Sequence, residues 1–254
     1  MRSVLLLTLF IPSIVQAEES IPLFNGKNLD GWETWLKGSG HKDPKNAFSV
    51  KDGVIHISGE GRGYLATKKS YANYHLSVEY KWGKRTDGSG YVRNSGILLH
   101  GVGPHGRARG VWMSSLECQL AQGCEGDFIL IRGNDEKGKR VNSTITADIT
   151  RGPDKRLRWD PKNGKRTRYS GRQFWWNRHQ VGFKEKLDTR GKNDVASPLG
   201  KWTKVECICK GDRVTIKING VVVNQCYDVK PSQGKILLQN EGNEIYFRNV
   251  HLKK

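Results

Sequence analysis

The 254-residue chain has only five cysteines and two methionines, and beyond residue 17 it has no long apolar run. Five cysteines are too few for a disulfide scaffold, so small disulfide-framed folds are excluded. Cys118, Cys207 and Cys209 fall on the apolar phase of strand-like stretches and read as small core residues rather than a metal pair. A bridge from Cys118 or Cys124 remains open, and the odd count leaves at least one free thiol or an intermolecular bond. Helical periodicity is nearly absent, which excludes helix bundles. No nucleophile elbow, Gly-rich phosphate loop or paired His on a helix occurs, so serine-triad, P-loop and zinc-peptidase chemistry find no support. No segment after residue 17 approaches transmembrane length.

What is present begins with Met1-Arg2, an apolar run over residues 4–14, and Val15-Gln16-Ala17. This is the pattern of a secretory signal peptide cleaved after Ala17, which predicts a periplasmic or secreted protein. By length, residues 18–254 suit one large all-β domain or two small ones; the strand rhythm favours a single domain. Along Tyr74–Trp82, Leu76, Val78, Tyr80 and Trp82 share one face and His75, Ser77, Glu79 and Lys81 the other. Residues 202–210 and 213–218 alternate likewise. Asn219-Gly220 between two apolar runs predicts a tight hairpin, because both central residues must take positive φ. Residues 244–252 change phase between Phe247 and Val250, the mark of a bulge. Many short strands with turn signals at this spacing predict a two-sheet sandwich.

Charge is unevenly spread. The chain carries 43 Lys and Arg against 25 Asp and Glu, a net charge of +18. Residues 132–192 alone hold 18 Lys and Arg against 7 Asp and Glu. Residues 132–195 read as a basic insertion of hairpins and long loops at the rim of the sandwich. For an exported protein, nucleic acid is not the expected partner; an anionic glycan fits this charge better.

Two stretches carry the candidate chemistry. In Ser115-Leu116-Glu117-Cys118-Gln119-Leu120, alternation sets Glu117 and Gln119 opposite Leu116, Cys118 and Leu120. In Leu238-Gln239-Asn240-Glu241-Gly242, Gln239 and Glu241 share a face and Leu238 points the other way. A sheet that packs on one side and holds carboxylates and amides in line on the other is laid out to bind sugar hydroxyls. Asn94 and His100 fall on one phase opposite Ile97 and Leu99, so His100 is an acid–base candidate. Arg93, Asp127 and Asp194 are candidates for holding hydroxyls or a cation. Trp112, Trp175 and Trp176 are candidates for stacking on sugar rings.

The opening Pro22-Leu23-Phe24-Asn25-Gly26-Lys27-Asn28-Leu29-Asp30-Gly31-Trp32 resembles the start of the 3-keto-disaccharide hydrolase family. Further matching segments follow in order: Asn94-Ser95-Gly96-Ile97-Leu98-Leu99-His100-Gly101, Leu116-Glu117-Cys118-Gln119-Leu120, Gly126-Asp127-Phe128, Leu238-Gln239-Asn240-Glu241-Gly242 and Phe247-Arg248-Asn249-Val250. The resemblance implies a concanavalin A-like jelly roll of two antiparallel sheets whose concave face binds carbohydrate. It also implies cleavage of 3-keto-glucosides, in which the ketone at carbon 3 acidifies the hydrogen on carbon 2. A base removes that proton, the leaving group departs from carbon 1, and water adds back.

On this reading Glu117, the leading candidate for the base, Glu241, the second carboxylate, and His100 are the catalytic candidates. Arg93, Asn94, Trp112, Gln119, Asp194 and Gln239 are the substrate-binding ones. A divalent cation of unspecified identity is compatible with the resemblance, with Glu117 and Asp127 as ligands; no organic cofactor is expected. One branch of the family reads His where this chain has Glu241, which puts proton transfer there in question. The alternative is a non-catalytic lectin-like module using the same surface.

Overall fold

A computed structural model describes residues 20–253; the expected signal peptide lies outside the described residues. Eighteen strands follow in chain order. The first nine are β1 (Ser20–Pro22), β2 (Trp32–Leu36), β3 (Phe48–Lys51), β4 (Val54–Ile57), β5 (Gly63–Thr67), β6 (Tyr74–Trp82), β7 (Gly96–Val102), β8 (Ser114–Gln119) and β9 (Phe128–Ile131). The rest are β10 (Thr144–Arg151), β11 (Leu157–Trp159), β12 (Lys165–Tyr169), β13 (Gln173–Phe174), β14 (Thr203–Lys210), β15 (Arg213–Ile218), β16 (Val221–Lys230), β17 (Lys235–Asn240) and β18 (Ile245–Lys253). They form two antiparallel sheets, a jelly-roll sandwich. The larger has eleven strands, in the order β11-β10-β16-β15-β14-β6-β18-β4-β3 with β1 and β12 attached; the smaller runs β13-β9-β8-β7-β17-β5-β2. Among the described residues no helix is long and apolar enough to cross a membrane.

One apolar core joins the sheets. Leu76, Val78, Tyr80 and Trp82 of β6 and Val205, Cys207 and Cys209 of β14 meet Ile97, Leu99, Leu116, Cys118 and Leu238 of the smaller sheet. β6 therefore alternates as its sequence predicts. Asn219 and Gly220 take φ of +47° and +81° at the β15–β16 hairpin. The register of β18 against β6 shifts between Arg248 and His251, with Asn249 at φ +51°. All five cysteines are buried and free, so the open question of a bridge is answered by five core thiols.

The basic segment supplies edge strands to both sheets: β10, β11 and β12 end the larger one, and β13 pairs with β9 at the edge of the smaller.

The outer face of the smaller sheet positions the site. Alternation predicts that this face of β8 and β17 is open to solvent, yet every residue of β8 is buried. The cause is a second apolar layer. Residues Ala108, Val111, Trp112 and Met113, from the β7–β8 connection, fold over Tyr64, Leu98, Ile129 and Leu237 on that face. The connection is held by a His105–Tyr64 hydrogen bond of 2.7 Å and by stacking of His105 on Trp35.

Candidate carbohydrate site

Glu117 lies on β8 opposite Leu98 of β7, and Leu98 in turn faces Leu237 of β17. Two residues along, Gly96 stands opposite Gln119 of β8, and the intervening Ile97 faces Leu238 of β17. Because Gly96 has no side chain, Glu117 and Gln239 meet diagonally over it. A Cβ at Gly96 would fall 2.4 Å from Glu117 Oε1 and 2.9 Å from Gln239 Oε1. Ser95 fixes the entry to β7 by donating to the Gln239 carbonyl at 2.8 Å. This sets the neighbouring Asn94 beside Glu241, whose Oε2 accepts from the Asn94 amide. Asn94 Oδ1 and Gln239 Oε1 are buried acceptors without a protein partner, as expected where a ligand or water completes the bonding.

Glu241 lines a cavity of about 470 Å³ together with Asn94, Trp112, Arg62, Arg109 and Arg172. A cavity of about 640 Å³ continues on the other side, sharing Glu241 and Arg62. A third, of about 310 Å³, shares Arg109 and Arg172. The three form one polar cleft across the sheet. Glu117 is only 4% exposed and lies beneath this cleft rather than on its wall.

The two carboxyls form an electrostatic unit. Burial first, and the neighbouring charge of Glu241 second, push Glu117 well above the ordinary carboxylate range. Burial also raises Glu241, opposed by Arg62, Arg172, the Asn94 bond and Arg109. Each carboxylate disfavours ionisation of the other, and the upward push is the stronger on Glu117, the more deeply buried of the two.

The other sequence-predicted residues separate. His100 does not share a face with Asn94. It sits at φ +56° in the irregular stretch between Leu99 and Val102, its Nδ1 is 3.1 Å from the Pro231 carbonyl, and its ring packs edge-on to Tyr74. The backbone irregularity breaks the parity on which the expectation rested. Burial lowers its pKa to about 4, so it is a neutral, buried group.

Arg93 is tied up by Asp188 at 2.7 Å and by the carbonyls of Gly83 and Arg85, next to a separate cavity of about 630 Å³. Gln119 turns its Oε1 back to the amides of Leu120 and Ala121, closing its own turn. Asp194 accepts from Gly191 N at 2.8 Å and is electrostatically linked to Glu125. Asp127 is fully buried and accepts from Trp176 N at 2.7 Å and Gln173 Nε2 at 2.8 Å. Of the tryptophans, Trp112 lines the cleft, Trp176 is in the core, and Trp175 lies under the Arg156 guanidinium.

Asp127 is thus committed to holding β13 and its following turn, and it is not grouped with Glu117 as a cation ligand. Among the described residues no three His, Cys, Asp or Glu side chains gather as a metal site. The Glu117–Glu241 pair has guanidinium groups as its neighbours instead. The residues present therefore do not fit a divalent-cation cage.

Arg62, Arg109 and Arg172 are functional candidates that sequence patterning did not single out. Arg109 sits with Gly110 at the centre of a tight turn, φ +54° and +72°, closed by paired bonds of 2.8 Å between Ala108 and Trp112. In the sequence nothing local distinguishes them from the other basic residues. Arg172 immediately precedes edge strand β13, and its carbonyl accepts from Leu130 N.

A jelly roll with amides, carboxyls, arginines and an indole along one cleft is the architecture of a carbohydrate-active protein. Residues 19–253 match the 3-keto-alpha-glucoside-1,2-lyase-like domain, and the chain belongs to that family of glycosidase-like proteins. Among solved structures it is similar to a proposed glycosyl hydrolase from Parabacteroides distasonis ATCC 8503, with 20% identity, a TM-score of 0.52, and coverage of 92% of this chain and 93% of that one. A second from the same organism has 19% identity, a TM-score of 0.50, and coverage of 92% and 98%. At these identities the likeness shows the shared fold. No curated protein matches the chain.

Proposed function

We propose that the protein is an exported enzyme that cleaves the glycosidic bond of 3-keto-glucosides, with Glu241 as the base. The observation that supports this most is the pairing of Glu241, on the cleft wall, with a buried Glu117 beneath it, under Arg62, Arg109 and Arg172. The base must touch the sugar, and Glu241 is the carboxyl that does so. Glu117 keeps its proton and, with Gln239 and Asn94, fixes the geometry.

The chemistry follows from these positions. Glu241 takes the carbon-2 hydrogen of a ring that already carries a ketone at carbon 3. Negative charge develops on the carbon-3 oxygen, where a guanidinium in the cleft stabilises it. The electrons then form a carbon 1–carbon 2 double bond as the carbon 1–oxygen bond breaks, and the departing oxygen takes up a proton. Water returns hydrogen to carbon 2 and hydroxyl to carbon 1, giving net hydrolysis. Proton transfer by a positioned group contributes about 10²–10⁴-fold.

The reading is tested by assaying the mature protein on 3-keto-glucosides and their unoxidised parents, with and without added divalent cation. Cleavage confined to the keto form is expected. Cleavage of neither, with measurable sugar binding, overturns it in favour of a lectin-like module. That second reading is favoured by one observation: His100 faces the core, so the imidazole expected in the site is not there.

A further inference from the structure

The cavity of about 310 Å³ at one end of the cleft is lined by Arg107, Arg109, Arg132, Arg140 and Arg172, and by no carboxylate. None of the five takes part in an ion pair with a carboxylate among the described residues. Five arginines line this one small space, and an anion entering it would relieve their mutual repulsion. Burial, and then the proximity of Arg140, lowers the pKa of Arg132.

The cavity is also built. Arg132 is fixed by donating through Nη2 to the carbonyls of Ser170 at 2.8 Å and Gly171 at 3.1 Å. The strained turn described above projects Arg109. The Arg107–Arg109 loop comes close because residue 133 is glycine: a Cβ there would fall 3.0 Å from Ala108 Cβ and 3.1 Å from Ala108 N. Arg109 and Arg172 line this cavity and the Glu241 cavity alike, so the two spaces adjoin.

We propose that this arginine cavity is a subsite for an acidic sugar residue, holding its carboxylate or sulfate group while the adjoining ring lies over Glu241. Guanidinium forks suit both anions through bidentate hydrogen bonds. The substrate class is then an acidic glycan fragment rather than a neutral disaccharide. The proposal rests on the cleft being a sugar site, but not on the reaction proposed for it.

Calorimetric titration of the mature protein tests it with three unoxidised disaccharides: a neutral glucosyl-glucose, its glucuronate analogue and its 6-sulfate. None carries the ketone, so no turnover is involved. At low salt the acidic ligands are expected to bind about tenfold or more tightly than the neutral one. The tighter of the two identifies the anion. The double variant Arg107→Gln/Arg140→Gln, which alters exposed residues outside the Glu241 cavity, should lose that advantage and keep neutral binding. A control variant, Lys27→Gln/Lys51→Gln, removes two exposed charges elsewhere and should retain it.

Equal binding of all three ligands, binding of none, or equal loss in the control variant overturns the subsite. An acidic preference together with silence in the 3-keto-glucoside assay leaves the subsite standing and removes the reaction. Turnover without acidic preference does the reverse.

Discussion

Gly96 lies between Glu117 and Gln239 on the neighbouring strands, and the missing side chain is what lets the carboxyl and the amide meet. Gly96→Ala would drive a methyl group into Glu117 Oε1, and that carboxyl has little room to move. The variant is expected to lose about 1–3 kcal/mol of stability and about tenfold or more in kcat. Denaturant unfolding and steady-state kinetics read the two effects. A lowered stability with unchanged kcat would mean that the position of Glu117 does not matter to turnover.

The raised pKa of Glu241 has a kinetic consequence. A base must be ionised, so the acid limb of kcat/KM should lie above the ordinary carboxylate range of about 4–4.5. Arg62 is the first of the cations opposing that rise. In Arg62→Gln the acid limb should move to higher pH, visible in the pH–rate profile. A limb that stays in place or moves down contradicts the assignment of Glu241 as base.

Asp127 provides a separate test through stability. Burial raises its pKa to about 8, against the bonds from Trp176 and Gln173. The folded chain thus keeps a proton that the unfolded chain releases near the ordinary value of 3.8. The associated stability is complete below that pH and is lost as pH rises toward 8. Asp127→Asn removes the titration, and Gln173 can turn its amide to suit the new donor. Relative to the parent, the variant should gain stability with rising pH across this window, by at most about 1.4 kcal/mol per pH unit. Chemical denaturation at pH 5, 6.5 and 8 checks the slope; a parallel pair of curves contradicts it.

His100 should prove structural. Its folded pKa of about 4 lies below the ordinary 6.5, so its contribution is present above 6.5 and is lost as pH falls toward 4. Asn tolerates the positive φ at this position. His100→Asn should therefore show less acid destabilisation over that range and a kcat within about twofold of the parent. A loss of about 100-fold in kcat at unchanged fold would restore His100 to the chemistry.

The strands were legible wherever one face of a sheet meets water. β6, β14 and β15 alternate because their outer sides are half-buried or exposed while their inner sides are buried, and the Asn219-Gly220 turn is dictated by backbone sterics. The phase change in β18 was legible for the same reason, since it carries a bulge at Asn249. β8 and β17 show similar alternation, but a long-range contact, the 103–113 connection folded over the sheet, buries their second face. Local patterning holds no record of that contact. Parity put Glu117 and Glu241 on the polar faces of their strands, but it held nothing about the depth at which each lies. His100 escaped for a local reason: one irregularity at Leu99–Val102 reverses a side chain without altering composition. The arginines were visible only as bulk charge, because which of them converge depends on edge strand β13 and on the close approach at Gly133.

Glu241 is the point at which the structural and chemical readings meet, and its removal is the most direct measurement. Glu241→Gln keeps the shape and the contact with Asn94 but cannot accept a proton. Single-turnover cleavage of a 3-keto-glucoside, run beside calorimetric binding of the unoxidised sugar, should show a rate at least 100-fold lower with affinity within about threefold of the parent. A variant that cleaves at the parental rate would contradict the account.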